Sequence, residues 1–133
     1  MSHMLKYTSQ DLQNALIDLN KLGKFKASVI TTENGFLISS AIEGGADEDF
    51  IAAAGPSVHS IVNQTVHTIK LGKPKDIVVR AENGYLVIKT LTTKNSGEYI
   101  LAIISKTGAN WMDEDVLIAI NKIKEILDSL ASV

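Results

Sequence analysis

The phrase ENGFLI at positions 33–38 returns almost unchanged as ENGYLVI at positions 82–88. Each copy is flanked by β-branched and apolar residues, which are typical of strands. Asn-Gly is the preferred central pair of a type I′ turn, because both central residues need a positive φ. We therefore predict two β-hairpins, one turning at Asn34-Gly35 and one at Asn83-Gly84. Ligand contact by the two turns is the alternative interpretation, but the turn by itself explains the repeat.

The residues before the first hairpin predict an amphipathic helix. Thr8 with Asp11 forms a weak capping box, which is a helix-start signal. Leucines then recur at helical spacing, and Gly23 is expected to end the helix. The leucines expected in the core are Leu12, Leu16, Leu19 and Leu22.

The stretch between the hairpins predicts a long helix, from about Glu48 to Leu71, which Gly72 ends. Pro56 lacks an N–H group, so we expect a kink there or a fresh helix start. The core stripe of this middle helix is expected to contain Ile51, Ala54, Val58, Ile61, Val62, Thr65, Val66 and Ile69.

Acidic triplets precede the middle helix, at Asp47–Asp49, and the last helix, at Asp113–Asp115. Carboxylates at a helix start cap free N–H groups and favour the positive end of the helix dipole. A Mg²⁺ or Ca²⁺ site is the alternative interpretation, but neither triplet has the spacing of an EF-hand loop.

The segment Tyr99 to Ser105 predicts a strand that is apolar on both faces and therefore covered on both. A final helix from about Glu114 follows, with a seam formed by Val116, Ile120, Ile123, Leu127 and Leu130. The predicted fold is α+β, in the order αββαβββα. It has a five-stranded antiparallel sheet, with the long helix on one face and the two terminal helices on the other.

Composition excludes several classes of protein. The 133 residues suit one domain, and their 13 scattered Lys and Arg with a net charge of −2 do not suit a nucleic-acid binder. The chain has no cysteine and no apolar run long enough to insert in a membrane, so we expect a cytoplasmic protein. We expect residues 1–6 to be a leader, partly of cloning origin, and set them aside.

Sequence motifs for catalysis, cofactor binding and metal binding are missing, and we expect none of these activities. His59 and His67 lie two helical turns apart with Asn63 between them, roughly 12 Å along the axis, which is too far for both to bind one metal. They are expected to be solvated or interface residues. A site shared between two copies of the helix is the alternative.

The side of the middle helix opposite the predicted stripe is small or polar and lacks Lys and Glu. An ordinary exposed face is one interpretation; a dimer or partner interface is the one that we favour, because small side chains permit close approach of another helix. The residues concerned are Ala52, Ala53, Pro56, His59, Ser60, Asn63, Gln64 and His67.

The first strand of the second hairpin, over residues 76–82, is expected at a sheet edge. Its centre carries neither Lys nor Pro, so the edge is open to pairing with a second copy. Pairing of two identical edges about a two-fold axis gives a closed dimer with one continuous sheet. The interface residues on this strand are Asp76, Ile77, Val78, Val79, Arg80 and Ala81.

Four features of the chain are the element order, the paired hairpins, the long helix closed by Leu71-Gly72 and the final stretch GEYILAI over residues 97–103. Together they resemble the Roadblock family of dynein light chains and prokaryotic GTPase regulators. The resemblance covers the chain from about Thr8 to Leu130, and we expect residues 7–133 to form a single domain. It implies a dimer, with itself or a related Roadblock-like chain, joined through the third strand and the middle helix. It also implies partnership with a small Ras-like GTPase, as activator, exchange promoter or scaffold.

We therefore expect a non-catalytic binding module that regulates or scaffolds a small Ras-like GTPase. Arg80 is the single arginine, and its position on an edge strand favours a solvated residue over an arginine finger. The alternative function is a small-molecule sensor with a profilin-like or longin-like layout. In that alternative Trp111 lines a pocket, rather than packing beside the last helix.

Overall fold

The computed structural model describes residues 6–106 and 110–131, so most of the predicted leader lies outside the described residues. The elements follow the predicted αββαβββα order. They are α1 (Ser9–Gly23), β1 (Ala27–Thr32), β2 (Leu37–Ile42), α2 (Glu48–Thr68), β3 (Asp76–Ala81), β4 (Gly84–Thr92), β5 (Glu98–Ser105) and α3 (Glu114–Ala131).

The five strands form one sheet in the order β2-β1-β5-β4-β3, and every neighbouring pair is antiparallel. The two hairpins are joined by pairing of β1 with β5, in which Ala27 lies opposite Ile104. The predicted antiparallel sheet is confirmed, and β3 is one of its two edge strands.

Helices cover the sheet on both faces, as predicted. One face packs against α1 and α3 in a core that includes Ile30, Val87, Leu101 and Ile103. The other face packs against the start of α2 in a smaller core. Successive residues of β5 alternate between the two cores, which explains why that strand is apolar throughout.

The first helix begins at the predicted capping box, since Thr8 Oγ1 accepts from Asp11 N and Asp11 accepts from Thr8 N. Leu12, Leu16 and Leu19 are at most 1 % exposed, and burial of each such side chain stabilises the fold by roughly 2 kcal/mol. Leu22 lies off their line and is half-exposed, so its predicted core position is wrong. The helix ends at Gly23, as predicted, and the C-cap residue Lys24 that follows has a positive φ of 57°.

The hairpin turns are built differently from the prediction, because neither Asn34 nor Asn83 has a positive φ. In the first turn Gly35 alone has one, 91°, and its N–H donates to Thr32 O at 3.0 Å. This matches a three-residue loop closed by glycine rather than a type I′ turn. In the second hairpin Ala81 pairs with Gly84, so the loop is Glu82-Asn83.

Gly84 serves a different purpose from Gly35. A Cβ atom at Gly84 would lie 2.3 Å from the carbonyl oxygen of Ser105, and the φ of Gly84 is 152°. The glycine therefore permits the close approach of β4 to the end of β5. The repeated phrase is a folding device in both places, but the glycine is needed for a different reason in each.

The long helix continues through Pro56 without interruption, so the predicted fresh start there is wrong. Pro56 is buried, and the helix continues although the missing N–H of Pro56 removes one of its hydrogen bonds. Asp47 caps the start, accepting from Phe50 N at 3.1 Å. The helix ends at Thr68 rather than at the predicted Leu71. The chain turns after Thr68, and the N–H of Leu71 donates to Val66 O at 2.8 Å.

The last helix carries the predicted seam, with Val116, Ile120, Ile123 and Leu127 buried. Beside the seam, its Asp128 carboxylate anchors the β4–β5 loop. The carboxylate accepts from the N–H groups of Lys94, Asn95 and Ser96 at 2.8–3.0 Å and from Ser96 Oγ at 2.9 Å. Partial burial acts to raise the pKa of Asp128, but these hydrogen bonds outweigh it and lower the pKa to about 2.

Candidate functional site

The two edges of the sheet differ in how far they are blocked. Side chains of α1 donate to carbonyl groups of β2: Gln13 to Ser40 O at 3.3 Å and Asn20 to Ala41 O at 3.0 Å. Within the described part of the chain, no side chain makes such a bond to the backbone of β3. Among the described strands β3 pairs with β4 alone, so its other side is open to another strand.

All six predicted edge-strand residues lie on β3 and pair with β4. Asp76 is held by the buried Lys89, whose Nζ lies 2.6 Å from Asp76 Oδ1. Val78 and Val79 point to opposite faces and are 41 % and 44 % exposed. Arg80 is exposed, as expected of a solvated edge residue, and so is Ala81.

Only the first half of α2 packs on the sheet, and it uses a different face from the predicted one. The buried residues are Ile51, Ala52, Gly55 and Pro56. The predicted outward positions of Ala52 and Pro56 are therefore wrong, because both residues are buried in the protomer. Small residues form this contact with the strands: a Cβ atom at Gly55 would lie 3.5 Å from Ala102 Cβ, at ordinary contact distance.

The second half of α2 leaves the sheet. Within residues 60–68, which we call the overhanging half, only Val62 and Val66 are half-buried and the rest are exposed. Ile61 is 67 % exposed, and Ile69 just beyond the helix is 60 % exposed. The predicted core positions of Ile61, Ile69 and Thr65 are therefore wrong for the single protomer, because all three side chains are exposed. The helix is roughly 31 Å long and the six-residue strand β1 beneath it roughly 20 Å, which explains the overhang.

His59 marks the point where α2 leaves the sheet. Its Nε2 lies 2.9 Å from Thr90 Oγ1 in β4, and the same hydroxyl donates to Pro74 O at 3.3 Å. Because the hydroxyl has one proton, it accepts from His59, whose Nε2 therefore carries hydrogen. His59 is thus a half-buried packing residue, whereas Asn63 and His67 are exposed on the overhanging half.

An apolar groove of about 620 Å³ runs between the first half of α2 and the β3–β4 hairpin. Phe50, Ala54, Val79 and Leu86 are among its walls. Phe50 is 69 % exposed, although it is a large apolar side chain. Sequence reasoning missed this groove. Its signal was the alternation in β3, which places Ile77, Val79 and Ala81 together on the α2 side of the sheet.

Two lysines, Lys26 and Lys106, stand at one end of the groove. The neighbouring Lys106 ammonium is the largest cause that lowers the pKa of Lys26, and partial desolvation adds to it. Glu82 also lines this end. Charge is therefore confined to one end of an otherwise apolar groove.

A second, more open recess lies on the other flank of α2, against the first hairpin turn. Its helical side is formed by Ala53, Pro56, Ser57, Ser60 and Ile61, and its other side by residues 33–35 of the first ENG phrase. The predicted interface residues Ala53 and Ser60 thus share this flank, and the exposed Gln64 continues it by one turn. None of these helical residues carries a charge.

Trp111 packs against the core between α1 and α3, and Lys89 Nζ lies 5.3 Å from the centre of its ring. Trp111 does not line the apolar groove. Its position therefore agrees with packing beside the last helix and not with the pocket that the sensor alternative requires. Among residues 6–106 and 110–131 no group of three or more His, Asp and Glu side chains is placed to hold a metal ion. In the same ranges no helix has the length and apolar character needed to span a bilayer.

Neither a known protein-family model nor a curated protein matches the chain in sequence. Solved structures do match in fold. MglB of Myxococcus xanthus superposes with a TM-score of 0.70 at 18 % identity, over 97 % of this chain and 93 % of that one. A Roadblock/LC7 domain from Streptomyces avermitilis gives 0.73 at 15 % identity, over 91 % and 98 %. The chain has the Roadblock fold.

A third solved structure agrees: the gliding protein MglB from Thermus thermophilus matches with a TM-score of 0.71 at 12 % identity, over 99 % of this chain and 98 % of that chain. Superposition over nearly the whole of both chains confirms the fold that the sequence resemblance implied. In this fold the apolar groove borders β3, and His59, where α2 leaves the sheet, contacts Thr90 of the neighbouring strand β4.

Proposed function

We propose that this protein forms a two-fold dimer through β3 and α2, and that the dimer binds a small Ras-like GTPase as a non-catalytic regulator or scaffold in the cytoplasm. The second subunit is another copy or a related Roadblock-like chain. One observation carries the proposal: α2, which the chain follows directly with the edge strand β3, has an uncovered second half in which Ile61 is 67 % exposed.

The dimer follows from the free energy of that arrangement. Pairing of two β3 edges satisfies backbone groups that otherwise meet only water, and it extends the sheet without distortion. Because residues 50–69 contain no Asp, Glu, Lys or Arg, covering α2 requires no charge to be desolvated. A solved MglB structure described as having a tetrameric arrangement supports self-association in this fold.

The GTPase is proposed from the resemblance and from the surface that remains after dimerisation. The flank of α2 formed by Ala53, Ser57, Ser60 and Gln64 points away from β3, and it borders the recess at the first turn. Small uncharged residues on a rigid helix allow a folded partner to approach closely. The module then acts by holding the switch regions of the GTPase in place, without contributing a nucleotide site.

The test is to mix the protein with Ras-like GTPases from the same genome, loaded with GDP or with a non-hydrolysable GTP analogue. Light scattering then gives the mass of each mixture. We expect the protein alone to have the mass of a dimer, and a larger complex to form that depends on the bound nucleotide.

Ala53→Arg and Ile118→Arg make a matched pair for this test. Both add a guanidinium to an exposed helical site, but Ile118 lies on α3, on the opposite face of the sheet. We expect Ala53→Arg to abolish GTPase binding with the fold intact by circular dichroism, and Ile118→Arg to leave it unchanged. A dimer that ignores every GTPase in both nucleotide states contradicts the regulator role, and a monomeric mass contradicts the dimer.

A further inference from the structure

A recess of about 450 Å³ lies between α3 and the start of β3, on the face of the sheet opposite α2. Three lysines line it, Lys75, Lys89 and Lys124, and of the described residues in its lining Asp76 alone is acidic. We call this site the basic recess. It shares no lining residue with the apolar groove or with the recess at the first hairpin turn.

Asp76 does not cancel the positive charge of the basic recess, because its carboxylate is already paired. Lys89 Nζ lies 2.6 Å from Asp76 Oδ1, and the same ammonium lies 5.3 Å from the centre of the Trp111 ring. Lys89 is only 7 % exposed, and a buried ammonium requires a partner of opposite charge. Lys89 and Asp76 are therefore a neutral pair within one wall of the recess.

The two remaining lysines carry the net charge of the basic recess. Lys75 is exposed just before β3, and Lys124 is half-buried on α3. Within residues 6–106 and 110–131, neither side chain forms a hydrogen bond or an ion pair. Lys73, by contrast, pairs with Glu98 at 3.3 Å. An anion in the recess is therefore attracted by two ammonium groups that have no partner in the described chain.

The inner part of the basic recess is apolar. Leu91 and Ile120 are 1 % and 3 % exposed, and Leu117 beside them is half-buried. Asn121 is exposed and adds amide N–H donors to the lining. The volume lies within the range of small-molecule sites, roughly 300–1,000 Å³. A ligand that fills the recess therefore combines an apolar group with a negative charge.

We propose that the basic recess binds a small phosphomonoester, with its phosphate between Lys75 and Lys124 and its apolar group against Leu91 and Leu117. A phosphomonoester matches the two free ammonium groups better than a carboxylate does, because it carries a charge of about −1.5 to −2 at pH 7. Lysine is also a common phosphate-binding residue. The site goes beyond the proposed dimer and GTPase partnership, since α2 lies on the other face of the sheet.

Phenyl phosphate is the probe, because it joins an apolar ring to a phosphate. Trp111 is the only tryptophan in the chain and lies beside Lys89 in the wall of the recess, so its fluorescence reports binding. Calorimetry gives the affinity and the stoichiometry independently. We expect saturable binding of one phenyl phosphate per chain and no binding of phenol at the same concentration. Absence of saturable binding, or phenol that binds as tightly as phenyl phosphate, overturns the proposal.

Lys75→Gln with Lys124→Gln removes both free charges and keeps two long polar side chains. Lys6→Gln with Lys122→Gln is the matched control, because it removes the same charge from two exposed lysines beside the ring of Tyr7. We expect the first double variant to bind phenyl phosphate about tenfold more weakly, and the control to change the affinity by less than about twofold. Equal affinities of the two double variants overturn the site.

Lys75→Arg with Lys124→Arg separates loss of charge from damage to the fold. This double variant keeps both positive charges, and we expect it to bind phenyl phosphate within about threefold of wild type. Circular dichroism checks that each variant retains the fold. Loss of binding in the arginine variant with the fold intact contradicts a site that depends on charge. None of these outcomes depends on the dimer or on a GTPase, so failure here leaves the proposed function standing.

Discussion

Three glycine-to-alanine changes measure what each glycine does in this fold. Gly84→Ala adds a methyl group 2.3 Å from Ser105 O at a φ of 152°, whereas Gly35→Ala adds one at a φ of 91° with no atom nearer than 3.9 Å. Gly55→Ala adds one inside α2, 3.5 Å from Ala102 Cβ, which is an ordinary contact. The chemical change is identical, and only the environment differs.

The magnitudes follow from those environments. A positive φ in a residue other than glycine costs roughly 1–2 kcal/mol, so Gly35→Ala is expected to lower the free energy of unfolding by that amount. Gly84→Ala adds the cost of overpacking, roughly 1–3 kcal/mol, for a total loss of about 2–5 kcal/mol. Gly55→Ala is expected to stabilise the protein by roughly 0.5–1 kcal/mol, because alanine favours the helix.

The assay is urea unfolding followed by far-UV circular dichroism at one protein concentration, because the stability of a dimer depends on concentration. The expected order of stability is Gly55→Ala, wild type, Gly35→Ala, Gly84→Ala. Equal losses at Gly35 and Gly84 would refute the reasoning, since they would mean that the contact with Ser105 O has no energetic consequence. A loss at Gly55 would refute the packing of α2 on β5.

Two further predictions concern the helix ends. The pKa of Asp128 is lowered from 3.8 to about 2 in the folded protein, so the contribution of Asp128 to stability is complete above about pH 4 and is lost as the pH falls through about 2. We therefore expect Asp128→Asn to flatten the decline of the urea midpoint between about pH 4 and pH 2. An unchanged decline would contradict the role of the contacts between Asp128 and the β4–β5 loop. Thr8→Ala removes the capping box of α1 and should cost about 1 kcal/mol in thermal or urea unfolding, whereas Ser9→Ala, at the exposed neighbouring position, should change stability by less than about 0.5 kcal/mol.

Local signals in the sequence were reliable where the cause is local. The capping box at Thr8, the Asp47 cap of α2 and the seam of α3 all depend on residues within a few positions of one another, and the structure confirms them. The ENG phrase located both hairpins for the same reason. The turn type was wrong because it depends on the register of the strands: the first loop closes between Thr32 and Phe36, and the second between Ala81 and Gly84.

The candidate site was predicted in part. The open β3 edge follows from strand order, and a first strand after a long crossover helix is a reasonable edge strand. The face of α2 was assigned incorrectly, because its apolar stripe at Ile51, Ile61 and Ile69 seemed to belong to one core. The structure divides that stripe: Ile51 is buried in the protomer, and Ile61 and Ile69 are left uncovered.

The sequence by itself determined the elements, their order and the absence of charge along α2 beyond its first turn, since these depend on composition and on neighbours in the chain. Only the tertiary structure decided which face of α2 meets the sheet and where the helix leaves it. Periodicity reports that a helix has an apolar side, but it does not report what covers that side. Small residues at Gly55 and Ala102 let the helix and sheet approach closely, and the length of the helix beyond β1 leaves the remainder without cover in the protomer.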